Sequence, residues 1–163
     1  MKEWSARSSE VKYLLNPAFC GRIIYASIVE YEKACSYAMP FPLIYLILPI
    51  ILHKYTRERI ILGSEMDLIR WVQSNNDILI SFPTRARGLV ETTDEAVGFL
   101  LCAGLIEITE DGCMKSVKGR HISNTEYTDK EIRDCLSKAK CVSSWFANFS
   151  SIDNIFSCLG VRP

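Results

Sequence analysis

Seven cysteines and two histidines are the residues of this chain best suited to chemistry, and their spacing argues against that use. The thiols are Cys20, Cys35, Cys102, Cys113, Cys135, Cys141 and Cys158, and the imidazoles are His53 and His121. A zinc site would have to combine Cys102, Cys113, His121 and a distant cysteine, without the close ligand pairs that structural zinc favours. A thiol hydrolase would need a cysteine beside a base, and Cys20 with His53 is the one pair to consider. His53 reads better as the end of an apolar helix, where an imidazole interacts favourably with the terminal carbonyls. Phosphate-cradling glycine loops, HExxH, GxSxG and Asp-rich metal loops are all missing, and the acids are scattered. The expectation is a chain that is not an enzyme and holds neither metal nor cofactor.

An odd number of cysteines with no CxxC, placed in apolar helical patterns, is the usage of reduced, buried thiols in a cytoplasmic protein. The segment MKEWSARSSEVK has no apolar core of a signal peptide, so secretion is not expected. Nineteen basic and nineteen acidic side chains cancel, and the pI is near 6.7. A whole-molecule electrostatic grip on nucleic acid or anionic lipid is therefore not indicated.

Charged residues still fall into local groups. Arg57 and Arg59 enclose Glu58 directly after the apolar run, and Arg85 and Arg87 flank a helical turn. They read as solvated faces, or else as salt-bridging contacts to a larger partner. Lys115, Lys118, Arg120 and His121 follow one another along a hairpin and the loop beyond it, in reach of a nucleic-acid backbone or simply of water.

The elements that would position these groups are mostly helices. Residues 9–15 make a short amphipathic helix. Asn16 and Pro17 are a good N-cap and first helical residue for a long core-facing helix ending near Ser36, with Phe19, Ile23, Ile24, Ile28 and Tyr31 on one side. Residues 38–52, AMPFPLIYLILPIIL, form the densest apolar run, and no charge occurs over 34–52. Pro40 and Pro42 leave only 43–52 as an unbroken helix, about 15 Å of rise against a hydrocarbon layer of about 30 Å. Pro49 weakens it further. A buried, kinked core helix is expected rather than a membrane span.

A helix over 64–74 follows, with Ser64 as cap and Leu68, Trp71 and Val72 as its apolar side. Residues 82–90 read as a short helix with Arg85 and Arg87 outward. Thr92 and Glu95 form a capping box for a helix that Gly104 closes. LIEI, TEDG and CMKSV then make a two-stranded hairpin turning at Asp111-Gly112. Helix, turn, helix and ribbon is the order of a winged helix-turn-helix. Its reading helix, however, opens with acids and carries no basic residue, so base reading is not expected. A helix over 129–149 and a short one through Ile152, Ile155, Phe156 and Leu159 complete the chain. The fold class is mainly α: a helical part (1–62), a winged-helix-like part with a hairpin wing (63–118) and C-terminal helices (125–163), in one domain over 1–163.

The strings LLNPAFCG (14–21), FPLIYLILPIILHK (41–54) and LGVRP (159–163) resemble the middle component of bacterial three-component ABC-ATPase systems. The helix containing Thr93, Glu95 and Ala96, Gly104 and the Asp-Gly turn keep the same order, so the resemblance runs over nearly the whole chain. It implies a non-enzymatic adaptor between a large ATPase of the structural-maintenance-of-chromosomes type and an effector such as a nuclease. The Lamassu type of anti-phage and anti-plasmid defence is among such systems, and in them DNA would meet this subunit mainly through the complex. No membrane is implied. Exposed charges near the matching strings, Arg57, Arg59, Arg85, Arg87 and Arg162, are the candidate protein contacts. A winged-helix transcription regulator, using Lys115, Lys118 and Arg120 on DNA, is the alternative.

Overall fold

The computed structural model describes residues 15–63, 65–120, 122, 127–149 and 151–162. The expected helix over 9–15, the Ser64 cap and His121 lie outside the described residues, apart from Leu15.

Helix α1 (Pro17–Cys35) starts as its sequence dictates. The Asn16 side chain accepts from the Ala18 N–H, Pro17 supplies the fixed φ of a first helical residue, and Ser36 closes the helix in the left-handed region. Residues 23–28 of α1 are buried on every side, because the helix lies between α6 (Val90–Cys102) and α7 (Lys130–Ala147). The Asp129 side chain caps α7 by accepting from the N–H groups of Glu131 and Ile132.

The apolar run is interior to the protein. Helix α2 (Phe41–Ile51) begins two residues earlier than expected, since Pro42 falls in the first turn, where its missing N–H has no helical partner to lose. Leu43, Ile44, Leu46, Ile47, Leu48, Ile50 and Ile51 are all closed to solvent by α1, α7 and the shorter helices. Each such side chain contributes about 1.5–3 kcal/mol of burial. Among the described residues, no helix is long and apolar enough to cross a membrane.

The hairpin is present, with a partner that the sequence pattern does not announce. Strands β2 (Ile106–Ile108) and β3 (Cys113–Ser116) pair antiparallel, with Ile106 opposite Ser116 and Ile108 opposite Met114. Strand β1 (Met39–Pro40) pairs on the other side of β3, setting Met39 opposite Met114. The ribbon is therefore a three-stranded sheet in the order β1-β3-β2. Pro40 is tolerated because β1 is an edge strand.

Three local expectations are corrected. Helix α4 (Leu68–Ser74) starts four residues later than expected and is capped by Asp67, whose carboxylate accepts from the Arg70 N–H. Its apolar side is Leu68, Trp71 and Val72 as expected, and Trp71 stacks at a tilt on Trp145, 5.5 Å away. Helix α6 starts at Val90 without a side-chain cap, so Thr92 and Glu95 form no capping box. Thr93 is instead buried and donates its hydroxyl to Leu89 O at 2.9 Å. His53 does not close α2; its Nδ1 lies 2.7 Å from Thr56 Oγ1 and it precedes α3 (Lys54–Glu58). A 3₁₀ turn (Asn76–Ile80) leads to α5 (Phe82–Gly88), and α8 (Ile152–Cys158) is the last helix.

Candidate protein-interaction surface

The sequence-derived arginines separate into two groups with opposite fates. Arg57 was expected on the surface, but it is 3 % exposed. Helix α3 follows the core helix so closely that its third and fourth residues, Thr56 and Arg57, point inward. Arg57 Nη1 donates to Ile51 O at 2.8 Å, satisfying a carbonyl at the end of α2. Its Nη2 and Nε reach Glu131 Oε1 at 2.6 Å and Asp134 Oδ2 at 3.0 Å on α7. Lys138 then holds the other Asp134 oxygen at 3.0 Å. Arg57 is a tie between α2, α3 and α7, with its fork geometry fully used.

Arg85 was expected outward and is half-buried. Its Nη2 donates to Thr56 Oγ1 at 3.1 Å, Nη1 donates to Ser81 Oγ, and the guanidinium lies 5.5 Å from the Phe82 ring centre. His53, sharing Thr56 with Arg85, is held below its usual pKa by burial and then by the Arg85 charge. Arg59 lies over the Tyr55 ring at 3.5 Å and bonds its hydroxyl, and the same hydroxyl donates to Asp77. Arg59 is thus half-exposed but committed within its own neighbourhood.

Arg87 and Arg162, far apart in the chain, meet at one apolar groove of about 600 Å³. Phe41, Pro42, Tyr45 and Leu46 of α2 form one wall. Pro83, Ala86 and Arg87 of α5, with Val90 at the start of α6, form another. Phe156, Gly160, Val161 and Arg162 complete it. The last three residues reach the groove because α8 ends in a tight reversal. Gly160 takes φ +67, its N–H bonds Ser157 O at 3.1 Å, and the Val161 N–H returns to Phe156 O at 3.0 Å. Tyr45 packs edge-on to Phe41, with ring centres 5.3 Å apart, and donates to Asp94 Oδ1 at 2.6 Å. Burial first, then that bond and the Asp94 charge, push its phenol up to about 12. Arg87 and Arg162 are exposed, and neither side chain makes a hydrogen bond or ion pair among the described residues.

Of the basic residues in the hairpin region, Arg120 is engaged within the fold. Arg120 donates from Nη1 to Ala103 O at 3.1 Å, sitting at the carbonyl end of α6, and its own carbonyl accepts from the Tyr25 hydroxyl. Gly104 takes φ +63, a conformation that favours glycine, and a Cβ there would also press on the tip of the Arg120 side chain, 2.7 Å from Nη1. Lys115 is half-buried on β3 and Lys118 is exposed. Glu32 of α1 accepts from the Ser116 N–H and hydroxyl, placing a carboxylate beside the same strand.

Of the groupings considered from sequence, the one with His121 lies outside the described residues, and the other is Cys20 with His53. Cys20 is fully buried on α1, where burial and then Glu95 push its thiol up to about 12, while His53 is engaged with Thr56. Cys102 is exposed at the end of α6 and Cys113 is half-buried on β3. Among the described residues, no group of three or more His, Cys, Asp or Glu is arranged to hold a metal. All seven cysteines are free thiols.

Among the described residues, the helices leave open an apolar groove with two exposed arginines in its lining. The chain belongs to the ABC-three component (ABC-3C) system Middle Component 3 family, whose model matches residues 4–163. It is a middle component of a three-component ABC system, which implies partner ABC components. No curated protein and no solved structure matches it.

Proposed function

We propose that this chain is a non-catalytic adaptor that joins an SMC-like ABC ATPase to an effector subunit, such as a nuclease. The complex would act in the cytoplasm against phage or plasmid DNA in the manner of Lamassu systems, with DNA held mainly by the other subunits. The reading rests on one observation above all: the middle-component family model matches residues 4–163 of this chain. A winged-helix-like arrangement of α5, α6 and the β2–β3 hairpin would serve protein contacts in this role. The charges on it support that use, since α6 is acid-led and Arg120 is occupied at its C-terminus.

Co-expression of the tagged chain with the ATPase and third component of its system tests the proposal. A stable ternary complex is expected, together with loss of the ATPase–effector association when this chain is omitted. An ATPase and effector that associate equally well without it would overturn the adaptor role. The competing transcription-regulator reading predicts duplex binding that weakens steeply with salt, and a flat titration of the isolated chain at low salt removes it.

A further inference from the structure

We infer that the groove between α2, α5 and the reversal after α8 is the seat of a protein partner, specifically of an apolar segment that carries carboxylates. The inference rests on the adaptor reading and adds the surface and the chemistry of its occupant.

The groove floor and walls are apolar: Phe41, Pro42, Val90, Phe156 and Val161 present hydrocarbon to it. Its volume of about 600 Å³ suits a few side chains rather than a folded domain. Val90 is among the large apolar side chains left exposed. Two guanidiniums, Arg87 from α5 and Arg162 from the chain after Gly160, lie along this lining without a counter-ion among the described residues. Arg57 shows an arginine engaged in the fold itself, with an acceptor at each of its three guanidinium nitrogens. Arg87 and Arg162 are left unmatched beside a dry surface, where a carboxylate arriving on a partner would make shielded, bidentate bonds.

Charge complementarity thus selects an acidic occupant, and the apolar lining beside the two cations selects one carrying hydrocarbon side chains. A nucleic-acid strand would meet few polar partners on that apolar lining. The groove walls are also held in place before anything binds. Tyr45 is fixed by Asp94 and Phe41, and the 156–160 reversal is fixed by its two backbone bonds, so little ordering is required on association.

The test uses the full chain co-expressed with its ATPase and third component, comparing wild type with the double variant R87E/R162E, the conservative R87K/R162K and the single R162E. Both arginines are exposed, so the variants are expected to keep the wild-type melting temperature. The expected result is roughly tenfold or greater loss of affinity for one of the two partners in R87E/R162E, with most binding kept in R87K/R162K. Partner binding by R87E/R162E as tight as that of the wild type would sink the groove while leaving the adaptor intact. A wild-type chain that binds neither partner would overturn both. If R87E/R162E fails to fold, R162E with a wild-type melting temperature decides in the same way. Parallel arms use duplex DNA, vesicles of phosphatidylcholine and phosphatidylglycerol in equal parts, and sedimentation of the chain alone. Arginine-dependent binding in any of these arms, with partner binding unaffected, would reassign the groove and overturn the proposal.

Discussion

Arg57 and Arg87 are the same side chain on neighbouring short helices, and the molecule uses them in opposite ways. On α3, Arg57 turns inward, caps a carbonyl of α2 and binds two carboxylates of α7. On α5, Arg87 stays exposed beside the groove with no charge partner among the described residues. A guanidinium withdrawn from water has to be matched at every donor, so burial makes Arg57 a structural joint. One left at the rim of an apolar surface retains its capacity for an incoming anion. Residue type and local charge density do not distinguish the two; the third dimension does.

The largest expected effect tests this contrast directly. Arg57→Ala should cost about 3 kcal/mol, the low end for breaking a buried pair because both carboxylates are partly solvated. In thermal melts that corresponds to a fall of roughly 6–12 °C. Arg87→Ala should change stability by no more than about 0.5 kcal/mol in the same measurement. Equal effects would erase the distinction between joint and contact.

A smaller effect is expected at the groove itself. Gly160→Ala forces a Cβ into a left-handed conformation at φ +67 and should cost about 1 kcal/mol in urea unfolding. Because Arg162 is delivered by this reversal, the variant should weaken partner binding more than its stability loss explains. Tyr45→Phe removes the bond to Asp94 and should cost about 0.5–1 kcal/mol.

The least effect is pH-dependent and belongs to the inward side. The folded state holds His53 below its usual pKa through burial and the Arg85 charge, so the unfolded chain binds its proton more readily. The contribution is full above about pH 6.5 and is lost as pH falls through the window below that value. Urea midpoints at pH 5 and pH 7.5 should therefore differ less in His53→Gln than in the wild type.

What could be read without coordinates was local. Asn16-Pro17, Ser36, Gly104 and Asp111-Gly112 announce their caps and turn because each acts within a few residues of itself. The inward course of Arg57 could not be read, since its carboxylates lie 74 and 77 positions away and a run such as RER looks solvated. Strand β1 escaped because two residues, one of them a proline, carry no alternating pattern. Ser64 and Asp67 are both competent caps, and sequence pattern alone favoured the wrong one. Arg87 and Arg162 were each singled out for their charge, but nothing in their spacing signals that they share a groove. The apolar residues around them read as ordinary core.

Strand β1 ends at Pro40 and α2 begins at Phe41, with no residue to spare between sheet and helix. Such a splice gives no slack: a push on Phe41 is felt two residues away by the pairing of Met39 with Met114. Amide exchange along 113–116 would then serve as a strain gauge for whatever settles against the start of α2.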